Sequence, residues 1–314
     1  MKKDESWKKF FSDNERYADV INAIGCRGMQ VVKPEDLQEI DTASGKKARD
    51  LLRKTAFGVN YAIIGIENQE ERDYELPLRI LSYEIGEYQN QAGAIYRQIR
   101  SRKRKGDKNQ NLSHVEKMPD VKKLSSGEYL YGFRKEDRLH PVITFVLYAG
   151  KEKWDGPLSL HDILEFSDIP DGLKALAANY KVKLIDVRRM KNTDIFKTDV
   201  KYAFDFIRSA ENKQELYQLV MNEPYYQEMD KDTYELIRNY ANLDGLLAMD
   251  SEEGGKRNMC KAIRDLMEDS REEGEVLVSK LIQILLSENR MDDIDRVTRD
   301  KEYRAKLFKE FQIL

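Results

Sequence analysis

Two cysteines, Cys26 and Cys260, and three histidines, His114, His140 and His161, are all that this chain of 314 residues has of soft metal ligands and imidazole bases. None of the five stands at metal-ligand spacing from another, which argues against a zinc site. No local motif points to a Ser–His or Cys–His nucleophile. Gly45-Lys46-Lys47 lacks the glycine five residues earlier that a phosphate-binding loop needs. No segment approaches the apolar length of a membrane span, and Met1-Lys2-Lys3-Asp4-Glu5 is followed by no apolar core of a signal peptide. A cytoplasmic protein with no membrane partner is expected. What the chain has instead is charge: 35% of residues are Asp, Glu, Lys or Arg, balanced to a net charge of -3. Any catalytic chemistry therefore rests on carboxylates.

The carboxylates that stand out are Asp50 and Glu67. Lys47-Ala48-Arg49-Asp50 ends on an acid, and the apolar run Tyr61-Ala62-Ile63-Ile64-Gly65-Ile66 ends on Glu67-Asn68-Gln69. Such a run reads as a central strand buried on both faces, and an acid at its end costs energy unless paired or bound to a metal. Residues i and i+2 of a strand share a face, so Glu67 and Gln69 point the same way. Gly58-Val59-Asn60 reads as the turn of a hairpin. A two-residue loop at Gly58-Val59 gives paired positions a sum of 117, which is 50 plus 67, and faces Asp50 with Glu67 at about 5 Å. A loop at Val59-Asn60 faces Asp50 with Gln69 instead, and a three-residue turn breaks the arrangement. Two facing carboxylates and a polar side chain suit a hard divalent cation, Mg2+ or Mn2+. The plainer reading is a surface hairpin that carries a few charges.

Around this hairpin the pattern predicts a mixed α/β core. Residues 5–24 read as a helix with a break and cap at Ser12-Asp13-Asn14, and its Asp19 or Glu15 could reach the acids. Leu76-Pro77 opens a second helix whose stripe Leu78, Leu81, Ile85, Tyr88, Ala92, Ile95 and Ile99 is expected to pack on the sheet. Arg79 and Tyr83, four apart, share an adjoining face. Residues 100–130 read as a loop or flap that opens with a basic run. Its Arg100, Arg102, Lys103, Arg104 and Lys105 are candidates for contacts with a phosphate backbone. Strands are expected at Pro141–Tyr148 and Val182–Val187, joined through a short connection at Leu158–Phe166. Beyond residue 200 strand signals stop and helices are expected, the longest over Lys256–Asn289 with a break at Gly274. This predicts a core domain at 1–200 and an α-helical region at 201–314.

These motifs, in this order, resemble the recombination-promoting nuclease (Rpn) and putative transposase group within the PD-(D/E)XK nuclease superfamily. The matching pieces are the Phe10-Phe11 helix, Arg49-Asp50, Gly65-Ile66-Glu67-Asn68-Gln69, and Leu76-Pro77-Leu78-Arg79-Ile80-Leu81-Ser82-Tyr83. They continue with Pro141-Val142-Ile143, Leu147-Tyr148-Ala149-Gly150, Trp154 and the charged helical tail. The resemblance implies a restriction-endonuclease-like fold and Mg2+-dependent hydrolysis of DNA, with Asp50 and Glu67 as metal-binding acids. It places Gln69 where the superfamily usually has lysine. Arg79-x-x-x-Tyr83 stands where relatives usually carry Gln at the first position. Two functions follow as expectations: a metal-dependent endonuclease acting in recombination or transposition as a possible homodimer, and a catalytically weak nuclease-fold protein that binds nucleic acid or protein.

Overall fold

The computed structural model describes residues 3–39, 52–66, 73–106, 125–238, 240 and 256–313. It divides into two compact units. One comprises the chain through Asn212 with Glu235–Ile237, and the other Lys213–Tyr234 with Arg238 onward.

In the first unit, helices α1 (Lys3–Phe10) and α2 (Asn14–Val20) are separated at the expected break. Asp13 caps α2 by accepting the amides of Glu15 and Arg16 at 2.7 and 3.2 Å. Their apolar side chains form the core. Trp7 stacks on Phe11 at 5.7 Å, and Trp7, Phe10, Phe11, Tyr17, Val20 and Ile21 are all buried. Each such side chain is worth about 1.5–3 kcal/mol of burial. The Tyr17 hydroxyl donates to the carbonyl of Tyr61 and ties α2 to the sheet.

That sheet contains β1 (Gln38–Glu39), β2 (Leu52–Ala56), β3 (Val59–Ile66), β4 (Val142–Tyr148) and β5 (Lys183–Asp186), side by side in chain order. The first two junctions are antiparallel, and β3, β4 and β5 run parallel. The strands expected at 141–148 and 182–187 are present, and the two-residue β1 had no sequence signal.

The hairpin register differs from both expected ones. Ala56 faces Val59 and Leu52 faces Ile63, a sum of 115. The loop is Phe57-Gly58, with φ of 53° and 71°. A two-residue hairpin turn with both central residues left-handed matches strand twist, and glycine suits its second position. An exposed aromatic at the first position gave no warning of this.

Helix α3 (Leu76–Gly106) starts where expected but buries a different face. Leu78 and Ile85, members of the expected stripe, are exposed, whereas Leu76, Ile80, Glu84 and Glu87 are buried. The carboxylates tolerate burial because they accept hydrogen bonds. Glu84 takes the Thr144 amide at 3.1 Å, and Glu87 takes the side-chain amide of Asn60 at 3.2 Å. Tyr88 and Gln91 continue the series by accepting the amides of Val142 and His140. One helix face thus takes up the amides of alternate residues at β4 before β5 begins. Burial pushes the nearby Tyr180 phenol well above its ordinary value, with the Glu84 charge adding to the shift.

The basic run is helical too, which corrects its assignment to a loop. Arg100 to Lys105 form the last turns of α3. Arginine and lysine are good helix formers, and cations suit a helix C-terminus. Part of the expected flap is α4 (Ser126–Tyr131), where Ser125 and Glu128 form a reciprocal capping box. It ends on left-handed Gly132, against the ring of Tyr96 of α3. After β4 come a 3-10 turn at Leu160–Ile163, α5 (Asp171–Lys174), β5 and α6 (Val200–Ser209).

The second unit holds α7 (Lys213–Asn222), most of α8 (Lys231–Arg238), α9 (Met259–Ser287), α10 (Met291–Arg299) and α11 (Lys301–Glu310). Strand pairing does not stop at residue 200. Met229–Asp230 (β6) pairs with Lys256–Arg257 (β7), a ladder too short to leave a pattern in sequence. Nor does Gly274 break α9, because one glycine costs only about 1 kcal/mol against 28 other helical residues. Leu281, Leu285, Val297 and Leu307 form the core of α9–α11. No helix among the described residues is long and apolar enough to cross a membrane.

Candidate functional site

The parallel strands set where a site can be built, since open α/β sheets bind ligands beyond the carboxyl ends of their strands. Ile66, Tyr148 and Asp186 lie in one row at that end. Glu67 is the next residue in the chain after β3, and Asp50 stands two residues ahead of β2, whose first pair is Leu52 with Ile63. Asp50, Glu67 and Gln69 themselves lie outside the described residues.

The first turn of α3 arrives at the same end. Leu76 and Ile80 pack with Val146 and Tyr148, and Tyr83 joins this cluster with Trp154. Tyr83 thus contributes packing here. Arg79 lies one turn into the helix and pairs with Asp73 at 2.8 Å. The pair is half-exposed, a setting in which ion pairs contribute little stability. Asp73 also accepts the Glu75 amide at 3.0 Å, so it serves the helix start. Its Asp-x-x-Leu-Pro placement was a readable cap signal that the sequence analysis passed over.

Beyond β4, the Tyr148 hydroxyl donates to the Glu152 carbonyl at 2.7 Å, and Trp154 meets the Tyr148 ring edge-on at 5.1 Å. Gly150 and Gly156 are required there, because a Cβ at either would run into the Tyr148 or Trp154 ring. Arg188 donates to the carbonyls of Ala149 and Ile207, joining the strand ends to α6.

Asp19 is buried, and its Oδ2 accepts the amides of Lys197 and Thr198 at 2.8 Å each and the Thr198 hydroxyl at 2.7 Å. Its carboxylate therefore holds the approach to α6, while Oδ1 makes no hydrogen bond. Beside it, Arg16 grips Asp199 through two 2.8 Å bonds. Among the described residues no group of three His, Cys, Asp or Glu side chains could hold a metal ion. The donor set read from the sequence, two carboxylates and an amide, has the oxygen chemistry that Mg2+ prefers. Arg100, Arg102, Lys103, Arg104 and Lys105 lie at the far end of α3, 24 to 29 residues beyond Leu76.

Fold and strand ends together describe a mixed α/β protein with a helical carboxyl-terminal region. Residues 130–237 match the family described as putative transposase, YhgA-like. The resemblance to the putative transposase group is borne out over that stretch, which runs from the end of α4 through β4, β5 and α6 into α8. The hairpin precedes it. No curated protein and no solved structure matches the chain.

Proposed function

We propose that this protein is a metal-dependent DNA endonuclease with a restriction-endonuclease-like core, acting in transposition-related processing of DNA. The observation that carries the reading is the order of parts. An antiparallel hairpin is followed by a helix laid along the next, parallel strand, and in the sequence Asp50 comes two residues before the hairpin's first strand and Glu67 directly after its second. A ladder carried on at a sum of 115 would pair position 50 with position 65, and 67 is the next residue on that face. The two acids would then be diagonal neighbours, within reach of one ion. The match of residues 130–237 to a transposase family supports DNA as the substrate.

Asp50 and Glu67 would hold Mg2+, or Mn2+ in its place. A metal held there would supply an acidified water and offset the negative charge of the phosphate. The Gln69 amide orients water by hydrogen bonding but supplies no charge where relatives have lysine. Loss of one such electrostatic donor lowers rates by roughly 10²–10³ in other enzymes, so turnover should be slow. The basic end of α3 contacts the phosphate backbone in a salt-dependent way.

Supercoiled-plasmid cleavage in Mg2+, Mn2+ or EDTA tests the reading, with Asp50→Ala and Glu67→Ala alongside. Nicking that needs metal and disappears in both variants is the expected result. Folded protein that binds DNA and cuts in no metal would overturn it. That outcome would favour the second reading, a non-cleaving nuclease-fold binding protein, for which Gln69 is the motivating residue.

A further inference from the structure

Past the carboxyl ends of β4 and β5 the chain concentrates positive charge. Residues 149–153 and 187–192 hold five cations, Lys151, Lys153, Arg188, Arg189 and Lys191, against one acid, Glu152, in a chain whose net charge is -3. Two of these cations build the turns. Arg188 donates to the Ala149 carbonyl at 2.8 Å, and Arg189 donates to the Lys151 carbonyl and pairs with Asp186 at 3.2 Å. Each guanidinium from the turn after β5 thus grips a carbonyl of the turn after β4, and the two turns lie side by side as one platform.

The lysines on this platform have no such structural task. Lys151, Lys153 and Lys191 are all exposed. Lys151 reaches Glu211 at 3.4 Å, but the two side chains are 44% and 48% exposed, a setting in which an ion pair contributes little. Lys153 and Lys191 make no ion pair among the described residues. Like charges held this close repel one another, so the arrangement costs stability unless an anion neutralises it.

Position says which anion. Ile66, Tyr148 and Asp186 end β3, β4 and β5 in one row. Adjacent strands lie about 4.8 Å apart, so the two turns begin roughly 5 and 10 Å to the side of the end of β3, after which Glu67 follows in the sequence. One strand of a duplex bears a phosphate about every 3.4 Å of helix axis, so the platform spans about three phosphates beside the one under attack. The basic end of α3 cannot serve there, because 24 to 29 residues of helix put it about 36–44 Å from Leu76.

We propose that Lys151, Lys153 and Lys191 form the track that holds the DNA backbone beside the reacting phosphate. The assignment rests on the nuclease reading for the place of that phosphate, and its test reads binding apart from cleavage.

Fluorescence anisotropy of a labelled DNA duplex, with the full chain in EDTA over a salt series, is that test. Lys151→Ala with Lys153→Ala and Lys191→Ala should flatten the slope of log affinity against log salt by about 2.7, or about 0.9 for each lost contact, and weaken binding at about 0.1 M salt roughly a hundredfold. Arginine at the same three positions keeps the charge and should bind as wild type does. Lys280→Ala with Lys301→Ala and Lys306→Ala removes equal charge from exposed positions of the second unit and should leave the slope unchanged. All the altered side chains are exposed, so every variant should keep the wild-type melting temperature. An unchanged slope in the platform's alanine variant would overturn the assignment. So would an equal loss from the second-unit variant, or a wild type with no affinity for DNA. A wild type that binds through these lysines but cuts no plasmid in Mg2+ keeps the track and fails the nuclease reading alone.

Discussion

Replacing Asp19 by alanine should unfold the first unit far more easily than an acid-to-alanine change on a surface would. The carboxylate is 3% exposed and holds three donors, the Lys197 and Thr198 amides and the Thr198 hydroxyl, all at 2.7–2.8 Å. Hydrogen bonds to charged acceptors are each worth about 1.5–3 kcal/mol net, and removal leaves partly buried amides without a partner. The three donors share one oxygen, so their values do not add, and a total loss of about 3–5 kcal/mol is expected. Asp19→Asn keeps an acceptor oxygen without the charge and should lose about half of that. For a unit of this size the alanine change should lower the melting temperature by roughly 10 °C. Tryptophan fluorescence in urea is the assay, because the chain's two tryptophans, Trp7 and Trp154, both belong to the first unit. A midpoint for Asp19→Ala within about 1 kcal/mol of wild type would refute the reasoning and return Asp19 to the pool of acids available for a metal.

Two further outcomes are expected. Gly132→Ala should cost about 3 kcal/mol, measured by thermal melting, because its φ is 67° and a Cβ there would run into the Tyr96 ring. In the second unit, the Asp293 carboxyl is held below its ordinary 3.8 by the Tyr303 hydroxyl and then by Arg290. The folded form therefore binds a proton less readily than the unfolded form. This stabilisation is full above the unfolded value and is lost as pH falls through the folded one. Asp293→Asn should accordingly show a flatter fall in melting temperature than wild type between about pH 5 and pH 3, followed by circular dichroism.

The elements legible in the sequence were those set by local pattern. Asp13 announced the start of α2, Leu76-Pro77 the start of α3, and β-branched runs the strands β4 and β5. Tertiary chemistry hid the rest. Glu84 and Glu87 lie off the expected apolar stripe and yet are buried, because the Thr144 amide of β4 and the side chain of Asn60 donate to them. The face they share displaced Leu78 and Ile85 from the core. The hairpin register turned on Phe57 accepting a left-handed backbone, which no aromatic residue advertises. Two-residue strands such as β1, β6 and β7 are too short for a period to show. Asp50 and Glu67 were singled out from a polar tetrapeptide and an apolar run that each end in an acid, and both lie outside the described residues, while Arg79 and Tyr83 were singled out from their spacing. That Arg79 would turn to Asp73, and Asp19 to the backbone before α6, depended on contacts 6 and 178 residues away in the chain.

The row formed by Glu84, Tyr88 and Gln91 makes part of α3 a surrogate strand. It occupies the donors that β4 would otherwise offer to an incoming segment, so this stretch of the sheet cannot be lengthened by a stray β-strand from another molecule. It also fastens the helix lengthwise. A slide of one residue along the axis, about 1.5 Å, would unhook all three acceptors together, whereas apolar packing alone would tolerate such a slip. The arrival of the first turn of α3 at the carboxyl end of the sheet is thereby set by hydrogen bonds made several turns away.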